Sequence, residues 1–306
     1  MIRTAAAIAA LAWALLPAAA SAQEAEFEPH HAIGVDLFAS TDADDTHVIR
    51  TGLNMDFNYR DPEHYRGVRL EKAWFEPVGD GWRDRTRVYA RAADDLGDWK
   101  WNATVGTDGH TVLGSAGIHD ESRFRKEFFL ERDIVETRQG LGRGIYYTFG
   151  GVALDLPVDD RNVFTVVGGL QDFTGDNLRT HLRANYVHVL KPDWGLSAQL
   201  RTRYFHDSEP REYDYYSPRW YVQVLPVLQV RRTLDSGWRY LLAGGIGAQK
   251  DSNSGWRRSS YFNAQLTSPQ RRKWSMNSAF LFSETPTTSG NSYNYLQFTL
   301  GIARAF

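Results

Sequence analysis

The sequence contains no cysteine, which excludes a disulfide framework, a thiolate metal site and a cysteine nucleophile. It also has no excess of basic residues, because 35 Lys and Arg oppose 37 Asp and Glu, whereas a nucleic-acid-binding protein is normally basic. The mature part lacks the runs of about 20 apolar residues that helical membrane spans require. What the 306-residue chain does have is aromatic side chains, at 13%, far more than disordered chains carry.

The first 22 residues have the three parts of a secretory signal. A short basic stretch at 1–3 is followed by an Ala/Leu-rich segment over 4–16, and Ala20-Ser21-Ala22 forms an A-x-A cleavage site before Gln23. An uncleaved membrane anchor would need a longer apolar run than residues 5–16 provide. We therefore expect 1–22 to be a cleaved Sec signal peptide and 23–306 to be the exported protein.

From about residue 30 to the C-terminus, apolar and polar residues alternate with a period of two. In the last segment Leu296, Phe298, Leu300 and Ile302 share one face, and Tyr295, Gln297, Thr299 and Gly301 share the other. This alternation is typical of β-strands whose two faces meet different surroundings. Sixteen such runs can be recognised, which begin near His31, Thr46, Tyr65, Asp84, Asp98, His110, Ser122, Gly140, Arg161, Asn177, Trp194, Ser217, Gly237, Trp256, Arg271 and Ser292.

Turn-forming clusters separate these runs, and each strand with its turn takes about 18 residues, as in transmembrane barrels. The sequence therefore predicts an all-β fold, a transmembrane antiparallel β-barrel of 14 to 16 strands over residues 23–306. A bilayer contains no water to satisfy an open sheet edge, so the sheet must close. A soluble periplasmic β-sandwich also alternates, but it does not explain an apolar face that continues to the last residue.

If the apolar face touches lipid, the opposite face lines a lumen. The residues we expect to line it and to contact cargo are Arg179, Arg183, Arg201, Arg203, Arg239 and Tyr221. Guanidinium groups and aromatic rings suit a sugar polymer, since rings stack on sugar faces and Arg pairs with carboxylates. The alternative is that Arg and Glu side chains only brace the barrel wall.

Two segments carry a family resemblance. Residues 168–179 resemble the turn written F-x-D-x-N-R, and residues 213–221 resemble the Y-Y/F-S-P segment, in barrel domains of exopolysaccharide-secretion porins that export cellulose, poly-N-acetylglucosamine or Pel. The residues that match are Asp172, Phe173, Asp176, Asn177, Tyr215, Tyr216, Ser217 and Pro218. One departure is Leu178, which stands where the family has Arg, with Arg179 one position later. A structural reading of Pro218 is a strand start at the barrel rim, and Pro226 indicates a bulge or an irregular ladder.

The resemblance implies passage of a solute or polymer, with exopolysaccharide as the expected cargo, across the outer membrane of a Gram-negative bacterium. The terminal Phe306 resembles the signal that the outer-membrane assembly machinery reads, although Arg304 lies on the apolar face, where such signals carry a hydrophobe. Partners would be that machinery, outer-membrane lipid and lipopolysaccharide. The family's helical-repeat arm is not apparent, so we expect a separate periplasmic protein to deliver any polymer.

No group of residues reaches the standard of a catalytic site. Ser115, His119 and Asp120 lie close together in sequence but without a nucleophile elbow. We therefore predict no enzyme activity, no metal and no cofactor. Two alternatives stay open: an outer-membrane lipid-modifying enzyme of the acyl hydrolase type, and a closed structural or adhesive barrel.

Overall fold

The computed structural model describes residues 28–42, 46–269, 273–286 and 292–306. The predicted signal peptide lies outside the described residues. Within them the chain forms sixteen strands: β1 (His31–Asp42), β2 (His47–Asp61), β3 (His64–Glu76), β4 (Arg83–Leu96), β5 (Trp99–Thr107), β6 (Val112–Asp120), β7 (Lys126–Ile134), β8 (Tyr146–Pro157), β9 (Asn162–Phe173), β10 (Leu178–Lys191), β11 (Leu196–Asp207), β12 (Trp220–Thr233), β13 (Arg239–Asp251), β14 (Arg257–Thr267), β15 (Trp274–Pro286) and β16 (Ser292–Ala305).

The strands form a single closed antiparallel barrel in which each pairs with its neighbours in sequence. Pairing of β1 with β16, from Ala32 opposite Ala305 to Asp42 opposite Tyr295, closes the ring. Backbone hydrogen bonds from His30 N and His31 N to Phe306 O, both 3.0 Å, tie the two ends of the chain together. The predicted fold class is confirmed, at sixteen strands.

Apolar side chains cover the outer surface, and polar ones point inward. Val88 is 54% exposed while the adjacent Arg87 is 1% exposed, and Leu70 is 50% exposed while Glu71 is 5% exposed. Arg87 on β4 forms an ion pair with Asp133 on β7, and because these strands are not neighbours, that contact crosses the interior. The sheet therefore has the polarity of a barrel that sits in an apolar medium.

The two ends of the barrel differ. The end that holds both termini, here called the terminal end, has short connections such as the turn between β4 and β5 at Gly97, whose φ is 62°. The opposite end, the loop end, carries the two longest connections, over residues 135–145 and 208–219. These two connections position the candidate site.

The connection over 135–145, here called the helix loop, corrects one prediction. A strand was expected to begin near Gly140, but residues Arg138–Arg143 form a short helix, α1, and β8 begins at Tyr146. Thr137 caps the helix through its side chain, and Gly144 ends it with a φ of 70°, a left-handed conformation that glycine adopts without strain. In the described ranges, no helix combines the length and apolar character that a membrane crossing demands.

The prolines near β12 behave largely as predicted. Pro218 is buried and precedes the strand by two residues. At Leu225 and Pro226 the ladder between β12 and β13 is interrupted, and the register is the same on both sides of the gap. Pro226 therefore marks an irregular ladder, since a proline has no N–H to donate to it.

Candidate functional site

The helix loop folds into the barrel at the loop end. Its Leu141 side chain packs against apolar residues of the strands, in a cluster made of Val48, Ala73, Phe75, Tyr89, Leu113, Ile134, Leu141 and Tyr146. This packing forms a hydrophobic cluster inside the barrel. The helix loop is thus an apolar plug that is held on the side of the barrel formed by β2–β6.

A continuous chain of ion pairs lies beneath this plug. Arg87 Nη1 is 3.0 Å from Glu71 Oε1 and Arg87 Nη2 is 3.0 Å from Asp133 Oδ1. Arg50 then joins Asp133, at 3.0 Å, to Glu136 of the helix loop. At the other end of the chain, Arg69 joins Glu71 to Asp36. Because charges of alternating sign follow one another, each buried group is compensated.

The connection over 208–219, here called the motif loop, covers another part of the opening. The ring of Tyr215 stacks on Phe173 of β9, with centroids 4.3 Å apart and an interplanar angle of 10°. Asn177 Nδ2 donates to Tyr215 Oη at 3.0 Å and to Asp207 Oδ1 at 2.9 Å. Burial raises the pKa of Tyr215 to about 12. Residues from the two family-like segments therefore meet in space and hold the motif loop inward.

The other residues of these segments divide into two groups. Tyr216 donates to Asp251 Oδ2 at 2.6 Å, and Ser217 Oγ accepts from the backbone N–H of Arg211 at 2.9 Å; these contacts secure the loop. Asp172 and Asp176 are exposed.

Glu212 fastens the motif loop to the turn between β9 and β10. Its carboxylate accepts the backbone N–H groups of Asp176 and Asn177, at 2.7 and 3.1 Å. Gly175 in this turn has a φ of 123°, and a Cβ there would displace the Glu212 carboxylate. The positive φ is the reason that this position favours glycine, since other L residues are strained there.

A carboxylate joins the two loops directly. Asp214 of the motif loop accepts from Thr137 Oγ1 at 2.5 Å and from the backbone N–H of Gln139 at 2.8 Å. Both contacts are at the N-terminal turn of α1, where a negative charge is stabilising. We call this pair of hydrogen bonds the latch.

A second carboxylate, Asp108, lies in the connection between β5 and β6 and holds the start of β8. It accepts hydrogen bonds from Tyr146 Oη at 2.9 Å and from the backbone N–H of His110 at 3.0 Å. Burial alone would raise the pKa of Asp108, but these hydrogen bonds and the nearby Arg85 outweigh it and hold the pKa below its usual 3.8.

The predicted arginines do not share one environment. Arg179 forms an ion pair with Asp207 at 2.8 Å and donates to the carbonyl oxygen of Tyr216 at 2.5 Å. Its side chain therefore points into the barrel, and its guanidinium group holds the motif loop. Arg183, Arg201 and Arg203 border a cavity of about 450 Å³ inside the barrel. Arg239 is exposed at the terminal end, opposite Thr233.

Tyr221 also lies on the inner face, where it is fully buried. It donates to Gln249 Oε1 at 2.9 Å and stacks on Phe205 with centroids 4.9 Å apart.

A second cavity, of about 350 Å³, lies between the helix loop, the motif loop and the inner wall. Arg203 borders this cavity and also the cavity of about 450 Å³. A third, of about 310 Å³, opens near the terminal end beside Asp56 and Arg91.

The residues weighed as a catalytic cluster do not form one. Asp120 accepts from Lys126 Nζ at 2.7 Å and from Ser122 Oγ at 3.0 Å, and in the described part of the chain it has no hydrogen bond to His119. The same part of the chain contains no group of three side chains placed to bind a metal ion.

At the barrel seam, Arg304 lies on the outer face with its guanidinium 5.5 Å from the ring centroid of Trp274. Phe306 is 59% exposed, and its ring centroid is 5.9 Å from that of His31. Its reading by an assembly machinery stays a prediction.

Sequence reasoning missed the helix loop, the ion-pair chain and the latch. Thr137 and Gly144 are cap residues that bracket α1, and they were the available signal for the helix. The ion pairs of Asp133 with Arg50 and Arg87 had no local signal, because they join strands that are not adjacent.

Together, the closed sixteen-strand sheet, the apolar outer face and the charged interior define the class of outer-membrane-type β-barrels. No family model matches the sequence, and no curated protein matches it. The fold is similar to a solved structure described as a bacterial polysaccharide outer membrane secretin, with a TM-score of 0.69 at 13% identity over 92% of this chain and 99% of that one. It also matches OpdQ of Pseudomonas aeruginosa, with a TM-score of 0.46 at 8% identity over 92% of this chain and 100% of that one. The first likeness confirms, for the fold, the resemblance that the two segments predict.

Proposed function

We propose that this chain is an outer-membrane channel through which a solute or a polymer passes, and that an exopolysaccharide is its cargo. One observation carries the proposal: around a closed barrel, apolar side chains face outward and charged side chains face a bore that still contains cavities. Such a barrel is stable in a bilayer because closure of the sheet leaves no edge strand with unpaired backbone groups.

In this proposal the signal peptide exports the chain, both termini face the periplasm, and the helix loop and motif loop face the outside. A separate periplasmic protein would deliver the polymer to the terminal end. Support for a saccharide cargo comes from the two family-like segments and from the fold similarity to a polysaccharide secretin. Transport would be passive, because the inner wall offers many weak polar contacts and cargo can therefore enter the bore and leave it again.

The two loops give this channel a resting state. The helix loop occupies part of the opening through its packing on the inner wall, and the motif loop is fastened to it by the latch. Passage of a polymer then requires the latched loops to move outward as a unit or to separate. A transition of such a segment between an ordered and a disordered conformation commonly switches a protein between two states.

The test is ion selectivity in a planar bilayer under a salt gradient. The double variant Arg201→Ser with Arg203→Ser removes two positive charges from the bore, so we expect the reversal potential to shift toward cation preference. Arg161→Ser, in the exposed turn between β8 and β9, is the control and should leave selectivity as in the wild type. Unchanged selectivity in the double variant would refute the placement of these arginines along the conduction path.

The inner apolar packing favours a second candidate, a closed structural or adhesive barrel. Its interior would stay filled by the helix loop, and no stable conductance would be observed in the wild type or in variants that break the latch. Conductance steps in a latch variant would exclude this alternative.

A further inference from the structure

Three arginines on the inner wall of β10 and β11 have no carboxylate partner among the described residues. Arg183 lies directly opposite Arg203 in the β10–β11 register, and Arg201 lies opposite Asn185. Arg201 donates to Gln199 Oε1 at 2.9 Å, which is a neutral acceptor. Arg203 has a buried Nε with no hydrogen-bond partner.

On the opposite wall of the barrel, the inward arginines have carboxylate partners. The inward arginines of β2, β3 and β4 each form an ion pair with a carboxylate, namely Arg50, Arg69, Arg87 and Arg91. On β10 itself, Arg179 is paired with Asp207. Among the described residues, these bracing arginines are thus neutralised by carboxylates, whereas Arg183, Arg201 and Arg203 are not.

This exception costs free energy in the empty protein. Like charges directly opposite one another on paired strands repel, and a buried guanidinium without acceptors loses its solvation. Glu284 also borders the cavity but forms no ion pair with any of the three arginines. An anion bound between the guanidinium groups would relieve both costs, so the arrangement is complementary to a negative ligand.

Aromatic rings hold two of these guanidinium groups in fixed positions. The Cζ of Arg201 is 4.9 Å from the ring centroid of Tyr261, and that of Arg203 is 5.5 Å from Phe205 and 5.8 Å from Tyr221. Such cation–π contacts orient the planar groups without neutralising them. The N–H groups at the edge of a guanidinium plane can donate two parallel hydrogen bonds to a carboxylate.

Besides Glu284, the remaining wall of the cavity offers neutral hydrogen-bonding groups. Gln223, Asn185 and Thr165 border it together with the ring of Tyr261. At about 450 Å³, the cavity is within the size range of small-molecule sites. Neutral groups suit the hydroxyls of a sugar, and the arginines suit an acid on the same sugar.

We propose that Arg183, Arg201 and Arg203 form a binding site for the carboxylate groups of an acidic saccharide of the uronate type. This inference rests on the proposed function, since it assumes that cargo enters the bore. It narrows that cargo from any polysaccharide to one with repeated negative charges. Each carboxylate would exchange between neighbouring arginines as the chain advances.

The experiment measures binding directly, so that it does not depend on conduction. The full mature chain in detergent is titrated by calorimetry with a size-defined oligogalacturonate, with a neutral cello-oligosaccharide of equal length and with a cationic glucosamine oligomer. We expect binding of the oligogalacturonate alone, and we expect its affinity to fall steeply as salt is raised.

The variants Arg183→Gln and Arg203→Gln should each weaken oligogalacturonate binding at least tenfold, whereas the control Arg161→Gln should not. The heat-dependent mobility shift of a folded barrel on a gel verifies that each variant is folded. Equal binding of the neutral or cationic oligomer, wild-type affinity in both variants, or no binding by the wild type would each overturn the inference. Conduction without oligogalacturonate binding would refute this inference alone, and binding without conduction would refute the passage function instead.

Discussion

The latch between the two loops gives the most specific quantitative prediction. In Asp214→Ala, Thr137 Oγ1 and the backbone N–H of Gln139 both lose their acceptor, at present distances of 2.5 and 2.8 Å. Hydrogen bonds to a charged group contribute about 1.5–3 kcal/mol each when desolvated, but these contacts are exposed to solvent. We therefore expect a total loss of about 2 kcal/mol from the free energy that keeps the helix loop closed, which is roughly a 30-fold change in the open population.

Hydrogen exchange of the α1 amides, followed by mass spectrometry on detergent-solubilised protein, measures this change. The Leu141 N–H, which donates to Thr137 O at 2.9 Å, should exchange about 30-fold faster in Asp214→Ala. Asp214→Asn keeps one acceptor and loses the charge, so its exchange rate should be intermediate. Amides in the middle of β2 serve as the control for global unfolding and should not change. Wild-type exchange of α1 in Asp214→Ala would refute the role of this carboxylate in joining the loops.

Two further predictions concern stability. The pKa of Asp108 is held below its usual 3.8 in the folded state, so the stability that this carboxylate contributes is present above that pH and is lost as the pH falls further. Asp108→Asn weakens the acceptor for Tyr146 and should lower the unfolding temperature at pH 6, but its unfolding temperature should decline less than that of the wild type between pH 5 and pH 2. Identical pH profiles of the two proteins would contradict this. Asp133→Asn leaves Arg50 and Arg87 without a shared carboxylate, so unfolding in denaturant and detergent should show a loss of about 3 kcal/mol, and an unchanged midpoint would show that the ion-pair chain does not stabilise the barrel.

The strand pattern was predictable because each side of the sheet meets a different medium. Turn chemistry set the ends of most strands: Asp98 and Asn177 were expected to start strands, and the strands begin one residue later, at Trp99 and Leu178. The predicted start was wrong near Gly140, where the strand begins at Tyr146, and it was four residues too early at Ser122, where the strand begins at Lys126. Near Gly140 the chain leaves the sheet and is held by packing on distant strands, which local periodicity does not record.

The candidate site was predictable only in its composition. Alternation placed Arg179, Arg183, Arg201 and Arg203 on the inner face, but it did not distinguish the paired Arg179 from the unpaired Arg183. That difference depends on the register of β10 against β11, which places Asp207 opposite Arg179. The turn that ends at Gly195 does not reveal this register, because the ladder shifts by one residue between Val189 and Lys191.

Contacts across the bore were beyond sequence reasoning for a different reason. Asp133 meets Arg50 although the two strands are five positions apart in the sheet. Such a contact depends on the curvature of the closed barrel, which has no local signature in the chain.

The central claim is that one face of each strand meets hydrocarbon and the other lines a bore, and single-cysteine scanning of β11 tests it most directly. The sequence has no cysteine, so each introduced thiol is the only one present. In proteoliposomes, cysteine at Gln199, Arg201 or Arg203 should react with a small anionic thiol reagent, whereas cysteine at Ala198 or Leu200 should be protected. Reaction at Ala198 and Leu200 with protection at the three inward positions would contradict the account.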